Sequence, residues 1–84
     1  MPIVLTYKGY KIYFYSNEGV PLEPVHVHID KSGETAKIWL KPVSLAYNYG
    51  FSSKDLKEIC DYLQKYEQFI VEVWNDFFNI RSSN

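Results

Sequence analysis

Residues 23–30 read Glu-Pro-Val-His-Val-His-Ile-Asp, a run in which branched apolar residues alternate with polar ones. Successive side chains of a β-strand point to opposite faces, so this alternation predicts a strand with one apolar face. The opposite face would carry His26, His28 and Asp30, which place two imidazoles and a carboxylate in one row. Both histidines of the chain lie in this row, so we expect any functional site there. The apolar face carries three residues that we expect in the core: Val25, Val27 and Ile29.

Three further strand-like runs surround this segment, and short turns separate them. Residues 3–7 and 10–15 are joined by Lys8-Gly9, and a two-residue turn that contains glycine is typical of a hairpin. Residues 35–40 follow the histidine strand after a turn at 31–34, which predicts a second hairpin. The sequence therefore predicts an antiparallel sheet of four strands in two hairpins.

The C-terminal part of the chain has the pattern of an amphipathic helix over residues 52–79, because apolar side chains recur every three or four positions. Ser52 or Ser53 is expected to cap it, residues 42–51 to form a connector, and residues 80–84 a short tail. A helix of about 26 residues measures roughly 39 Å, so one end should extend beyond the sheet unless the helix bends or splits. The prediction is an α+β fold with the sheet packed on one long helix.

The composition is that of one small globular domain, residues 1–84, with its strands within residues 1–41. Nine basic and ten acidic residues leave the chain near neutral, without the strong positive charge typical of nucleic-acid-binding domains. A single cysteine excludes an intramolecular disulfide framework. No signal-peptide pattern and no apolar run of about 18 residues occurs, so we expect a cytoplasmic protein without membrane contact.

The overhanging end of the predicted helix would expose large apolar side chains. An apolar patch on so small a domain usually marks a contact surface, so we expect a homodimer or a small protein partner. The alternative is that the connector at 42–51 folds over the patch. The predicted interface residues are Ile70, Trp74, Phe77 and Phe78.

The row of histidines admits three interpretations, which the sequence leaves open. In the first, His26 and His28 are the catalytic acid and base of a small hydrolytic enzyme that cleaves RNA, because imidazole exchanges protons near neutral pH. Lys37 on the neighbouring strand would stabilise the charge on phosphorus. Tyr13 and Tyr15 would stack on the bases.

In the second interpretation the two imidazoles bind a divalent metal ion, with Asp30, Glu18 or Glu23 as a further ligand. Two ligands do not define a site, so the sequence assigns no metal or other cofactor. In the third, the histidines pack against tyrosine and tryptophan, form hydrogen bonds to Asp30, Ser16 or Glu18, and belong to a face that docks a protein partner. The binding residues predicted around the histidines are Asp30, Tyr15, Asn17, Glu18, Lys37 and Trp39.

Four motifs occur in a fixed order along nearly the whole chain: Tyr-Ser-Asn-Glu at 15–18, Pro-x-His-Val-His at 24–28, Trp-Leu at 39–40 and Trp-Asn-x-Phe at 74–77. In this the chain resembles a widespread prokaryotic family defined only as a domain of unknown function. Members of that family are often encoded beside a second small domain, and the resemblance implies a toxin–antitoxin pair in which this domain is the toxin. It implies no catalytic residues. We therefore expect a protein-interaction domain, with the hydrolytic enzyme as the alternative.

Overall fold

The computed structural model describes residues 3–19 and 21–80, and these form an α+β fold, as predicted. The sheet is antiparallel throughout, and its spatial order follows the order of the chain. It has five strands rather than four: β1 Ile3–Tyr7, β2 Tyr10–Tyr13, β3 His26–Lys31, β4 Glu34–Trp39 and β5 Ser44–Tyr49. Two helices follow: α1 Ser53–Lys65 and α2 Glu67–Phe77.

Two tight turns set the register of the hairpins β1–β2 and β3–β4. Lys8 and Gly9 both have positive φ, and so do Ser32 and Gly33. Positive φ at both central residues is the geometry that matches the twist of two antiparallel strands. The hairpin prediction is therefore correct at both places.

The connector predicted at residues 42–51 is wrong, because most of it is β5, paired with β4 along the edge of the sheet. Leu45 pairs with Ile38 and Tyr47 pairs with Lys37, so Ala46 is an extra residue in the ladder. A bulge of this kind interrupts the alternation of side chains by which a strand is recognised. The sequence pattern of β5 was broken for that reason.

The single helix predicted over residues 52–79 is also wrong, because Tyr66 departs from helical geometry with φ −109° and ψ 16°. No glycine or proline marks this break. The start of α1 agrees with the prediction, since Ser52 Oγ accepts a hydrogen bond from the backbone N–H of Asp55 at 3.1 Å. None of the helices in the part of the chain that the structure describes is long and apolar enough to cross a membrane.

One face of the sheet, which we call the apolar face, packs against both helices. Val27 and Ile29 are fully buried there, as predicted, whereas Val25 is only partly buried. Ile59 and Leu63 from α1 and Ile70 from α2 complete the cluster. The strands, the turn after β4 and the loop before α1 contribute the rest: Tyr10, Ile12, Ala36, Ile38, Leu40 and Phe51.

Because the helix breaks at Tyr66, the predicted interface residues do not extend beyond the sheet as expected. Ile70 and Trp74 are 0% and 2% exposed, so the expected overhang is wrong for both: they are buried within the chain itself. Phe78 packs on Trp74, with 4.5 Å between ring centres, and only Phe77 is largely exposed, at 47%. Whether Phe77 and Phe78 contact a partner stays a prediction. Residues 81–84 of the predicted tail lie outside the described residues.

Candidate functional site

The link between β2 and β3 carries an acidic residue back over the first residues of β3. A short 3₁₀ turn, Ser16–Glu18, directs the Glu18 side chain toward the chain that precedes it. The backbone N–H of Tyr15 donates a hydrogen bond to Glu18 Oε1 at 2.8 Å. This bond fixes one carboxylate oxygen and leaves Oε2 facing the sheet.

Both histidines meet Glu18 on that one remaining oxygen. His26 Nε2 lies 2.7 Å from Glu18 Oε2, and His28 Nε2 lies 2.8 Å from the same atom. The three residues are 0%, 5% and 8% exposed for His26, His28 and Glu18, so the contacts are shielded from water. We call these residues the His–Glu cluster.

The outer nitrogen of His26 is held by the backbone. Nδ1 is 2.8 Å from the carbonyl oxygen of Pro24, and because a carbonyl only accepts, Nδ1 donates this hydrogen bond. The ring is therefore held at both nitrogens, by Pro24 on one side and by Glu18 on the other.

The outer nitrogen of His28 faces the sheet edge. Its Nδ1 lies 3.5 Å from the hydroxyl of Tyr47 on β5, a long contact in which the hydroxyl can take either role. Tyr13 stacks on the His28 ring at 5.4 Å between centres, and Tyr15 meets it edge-on at 4.8 Å. These tyrosine rings cover the His28 imidazole, which is 5% exposed.

The His26 ring is enclosed by two tryptophans from distant parts of the chain. Its centre lies 5.4 Å from the Trp39 ring on β4 and 5.1 Å from the Trp74 ring on α2. Trp74 reaches this position because α2 starts anew after Tyr66. The helix break thus connects the C-terminal helix to the His–Glu cluster.

Hydrogen bonding keeps Glu18 ionised despite its burial. Burial opposes the charged form, but the hydrogen bonds from His28, the Tyr15 backbone N–H and His26 outweigh it, and the pKa of Glu18 lies below its ordinary value. Glu18 is therefore a carboxylate that only accepts hydrogen bonds, and one of its oxygens contacts two imidazole nitrogens. This is a concentrated set of donor atoms: Glu18, His26 and His28 each offer one ligating atom, all within 4.8 Å of one another.

With this geometry in hand, comparisons with known proteins give one match. The family described as Domain of unknown function (DUF4160) matches residues 9–75, which include the whole His–Glu cluster. The chain belongs to this family. No curated protein and no solved structure matches the chain.

Asp30, the third member of the predicted polar row, does not join the cluster in this DUF4160 domain. Its Oδ2 accepts a hydrogen bond from the Tyr13 hydroxyl at 3.0 Å, while Oδ1 is buried without a partner. Burial, the hydrogen bond with Tyr15 and the contact with Asp30 raise the pKa of Tyr13 far above its ordinary value. Asp30 and Tyr13 therefore form a second polar contact on the same face, beyond His28.

The other predicted binding residues of the DUF4160 domain lie around the cluster without entering it. Lys37 pairs across the sheet with His28, but its amine lies 4.5 Å from the ring centre of Trp39 and 3.3 Å from Glu23 Oε1. Asn17 is exposed on the 3₁₀ turn. The structure brings together Glu18, His26 and His28, and it places Lys37 against Trp39 and Glu23 instead.

Three contact residues of the cluster were not predicted from sequence. Pro24 contributes a backbone carbonyl, which residue type does not reveal. Tyr47 belongs to β5, whose bulge hides it in the sequence pattern, and Trp74 lies in a helix pattern that predicts an interface position. The Pro-x-His spacing is the one signal from which Pro24 could be found, because it places the carbonyl two residues before His26.

Proposed function

We propose that this DUF4160 domain is a protein-binding module and that its partner binds along the free edge of β5. The observation that carries the proposal is the composition of this edge strand. β5 reads Ser-Leu-Ala-Tyr-Asn-Tyr, without a charge or a proline, and exposes 48% of Leu45 and 67% of Tyr49. Natural edge strands are usually protected by lysine, proline or a bulge; β5 has the bulge at Ala46 but neither lysine nor proline, and its uncharged, exposed side chains favour strand addition.

The partner that this proposal takes is the small protein encoded beside the domain. The family resemblance implies such a neighbour and a toxin–antitoxin relationship, with this domain as the toxin. Strand addition would suit an antitoxin, because backbone hydrogen bonds supply affinity while Leu45 and Tyr49 supply side-chain contacts. The toxin activity is part of the proposal and rests on the resemblance alone.

The geometry favours binding over the hydrolytic alternative. A catalytic imidazole must lie within hydrogen-bond reach of its substrate, and that requires access to the ring. His26 is fully buried and His28 is 5% exposed, with both Nε2 atoms directed at Glu18. RNA cleavage by these two side chains would require the cluster to open.

The experiment is co-expression of the domain with its neighbour, followed by purification of the complex and measurement of its Kd. Leu45→Lys places a charge on the edge of β5, and Thr6→Lys places the same charge on an exposed position of the opposite edge strand, β1. We expect Leu45→Lys to raise Kd at least about tenfold, as loss of a central apolar contact does, and Thr6→Lys to leave it unchanged.

Two results would refute the proposal: absence of a complex with the wild-type domain, or equal affinity of the two lysine variants. A growth assay gives the second readout. Expression of the domain alone should slow growth, and the neighbour should restore it for the wild type but not for Leu45→Lys.

A further inference from the structure

We propose that Glu18, His26 and His28 bind one divalent transition-metal ion of the zinc class through Glu18 Oε2 and the two Nε2 atoms. Two imidazole nitrogens and one carboxylate oxygen are a ligand set that such ions accept in proteins. The three atoms converge within 4.8 Å, and all three residues are buried. This proposal does not depend on the partner-binding edge of β5.

The outer atoms of the three side chains support this assignment. Ligating histidines usually donate their other N–H to a carbonyl or carboxylate, which fixes the ring and its tautomer. His26 does so to the carbonyl of Pro24 at 2.8 Å, and Glu18 Oε1 is held by the backbone N–H of Tyr15 at 2.8 Å. The Tyr47 hydroxyl lies beside the outer nitrogen of His28. The inward atoms are therefore aimed by contacts that an ion would not disturb.

The carboxylate of Glu18 supplies the negative charge that a buried cation needs. His26 uses Nδ1 for its hydrogen bond to Pro24, which leaves Nε2 as the atom that would bind the ion. Glu18 Oε2 lies within 2.8 Å of both Nε2 atoms, so the buried carboxylate would balance part of the charge of the ion.

Binding an ion requires the three ligand atoms to adjust. At zinc–ligand distances of about 2.0–2.1 Å, tetrahedral ligand atoms lie roughly 3.3 Å apart. The nitrogen–oxygen distances are 2.7 and 2.8 Å, so Glu18 Oε2 would withdraw by about half an ångström from each nitrogen. The two Nε2 atoms, which lie within 4.8 Å of each other, would take up the same spacing by rotation of the imidazole rings on β3. Three protein ligands leave a fourth position for water or an exogenous group.

The test is calorimetric titration of metal-stripped protein with Zn²⁺. We expect one ion per chain and a loss of affinity of at least about 100-fold in Glu18→Gln and in His28→Ala. Mutation of a residue that only hydrogen-bonds to a ligand usually lowers metal affinity about 10- to 100-fold, and removal of a ligand itself should lower it more. Asp30→Asn is the matched control, because this carboxyl lies on the same face without contacting the cluster. Its affinity should equal that of the wild type.

A spectroscopic measurement on the wild type keeps the test decisive if a variant fails to fold. Co²⁺ bound by two imidazoles and a carboxylate in a four-coordinate site should give strong visible absorption that Zn²⁺ abolishes by displacement. Absence of both Zn²⁺ and Co²⁺ binding to the wild type would overturn the proposal. Binding that persists in folded Glu18→Gln and His28→Ala would overturn it too, because the ion would then lie elsewhere.

Discussion

The apolar face and the polar face of β3 are equally buried, but they are buried by different means. Val27 and Ile29 are 0% exposed beneath α1 and α2, and they need no specific partner. His26 and His28 are 0% and 5% exposed, yet each needs a hydrogen-bond acceptor in place. β3 thus buries its apolar face by packing alone. It buries its polar face only through hydrogen bonds to residues from other segments of the chain.

The energetic consequence differs accordingly. Apolar burial contributes in proportion to area, about 25 cal/mol per Å², and tolerates small shifts of the helices. A buried polar group contributes little when paired but costs about 1–3 kcal/mol when its partner is removed. Substitutions on the two faces should therefore measure two contributions to stability separately: apolar packing on one face and hydrogen bonding on the other.

Trp74→Ala should have the largest effect, because this buried ring packs both on the polar face, at His26, and on neighbouring aromatic side chains. Its ring packs against Phe14 with 5.1 Å between centres and against His26 at the same distance. Loss of a buried tryptophan costs about 3–5 kcal/mol of unfolding free energy. Urea denaturation measures it, and Phe77→Ala, which removes a half-exposed ring from the same helix, should cost clearly less. Equal losses would show that the buried contacts of Trp74 with Phe14 and His26 add nothing to stability.

Ile38→Ala tests the apolar face alone. Ile38 is fully buried between the sheet and the helices, so its truncation should cost about 2–5 kcal/mol, the range for large-to-small changes in a core. The imidazole signals of His26 and His28 in NMR spectra should keep their chemical shifts, because no cluster residue is altered. A large shift of those signals would show that the two faces are coupled through β4.

Glu18→Gln tests the polar face alone. The amide has one acceptor oxygen in place of two, so either the two Nε2 atoms or the Tyr15 backbone N–H lose their acceptor, and the loss should be about 1–3 kcal/mol in urea denaturation with a chelator present. Glu23→Gln is the matched control, because Glu23 is partly exposed and pairs with Lys37 at 3.3 Å. A surface pair of this kind is worth about 0–1 kcal/mol. If Glu18→Gln costs no more than its control, pairing does not stabilise the polar face.

Asp30→Asn should have the smallest effect. Its Oδ1 is buried without a hydrogen-bond partner, so the loss of the buried charge should stabilise the fold. The hydrogen bond from the Tyr13 hydroxyl to a neutral amide oxygen is weaker, and this cancels part of that gain. We expect a change in unfolding free energy within about 1 kcal/mol, with either sign. A loss of several kcal/mol would place a second essential pairing on the polar face.

The same contrast explains how much of the molecule the sequence could predict. Alternation around His26 and His28 identified both faces of β3, and local glycine turns identified both hairpins, because these signals lie within a few residues. The bulge at Ala46 hid β5, and no residue type marked the break at Tyr66.

The cluster shows the same limit of sequence analysis. Glu18 was predicted beside the histidines, but its role as their shared acceptor depends on the 3₁₀ turn that folds it back across the loop. The packing of Trp74 on His26 joins positions far apart in sequence and depends on the helix break. Contacts of this range leave no periodic pattern in the chain.

The most direct test of the His–Glu cluster as a metal site is anomalous diffraction from crystals of the zinc-loaded protein, measured on both sides of the zinc absorption edge. We expect one peak per chain, about 2.0–2.2 Å from Glu18 Oε2 and from Nε2 of His26 and His28, with the His26 Nδ1 bond to Pro24 retained. The absence of a peak there, with the two imidazoles still hydrogen-bonded to Glu18, would contradict it.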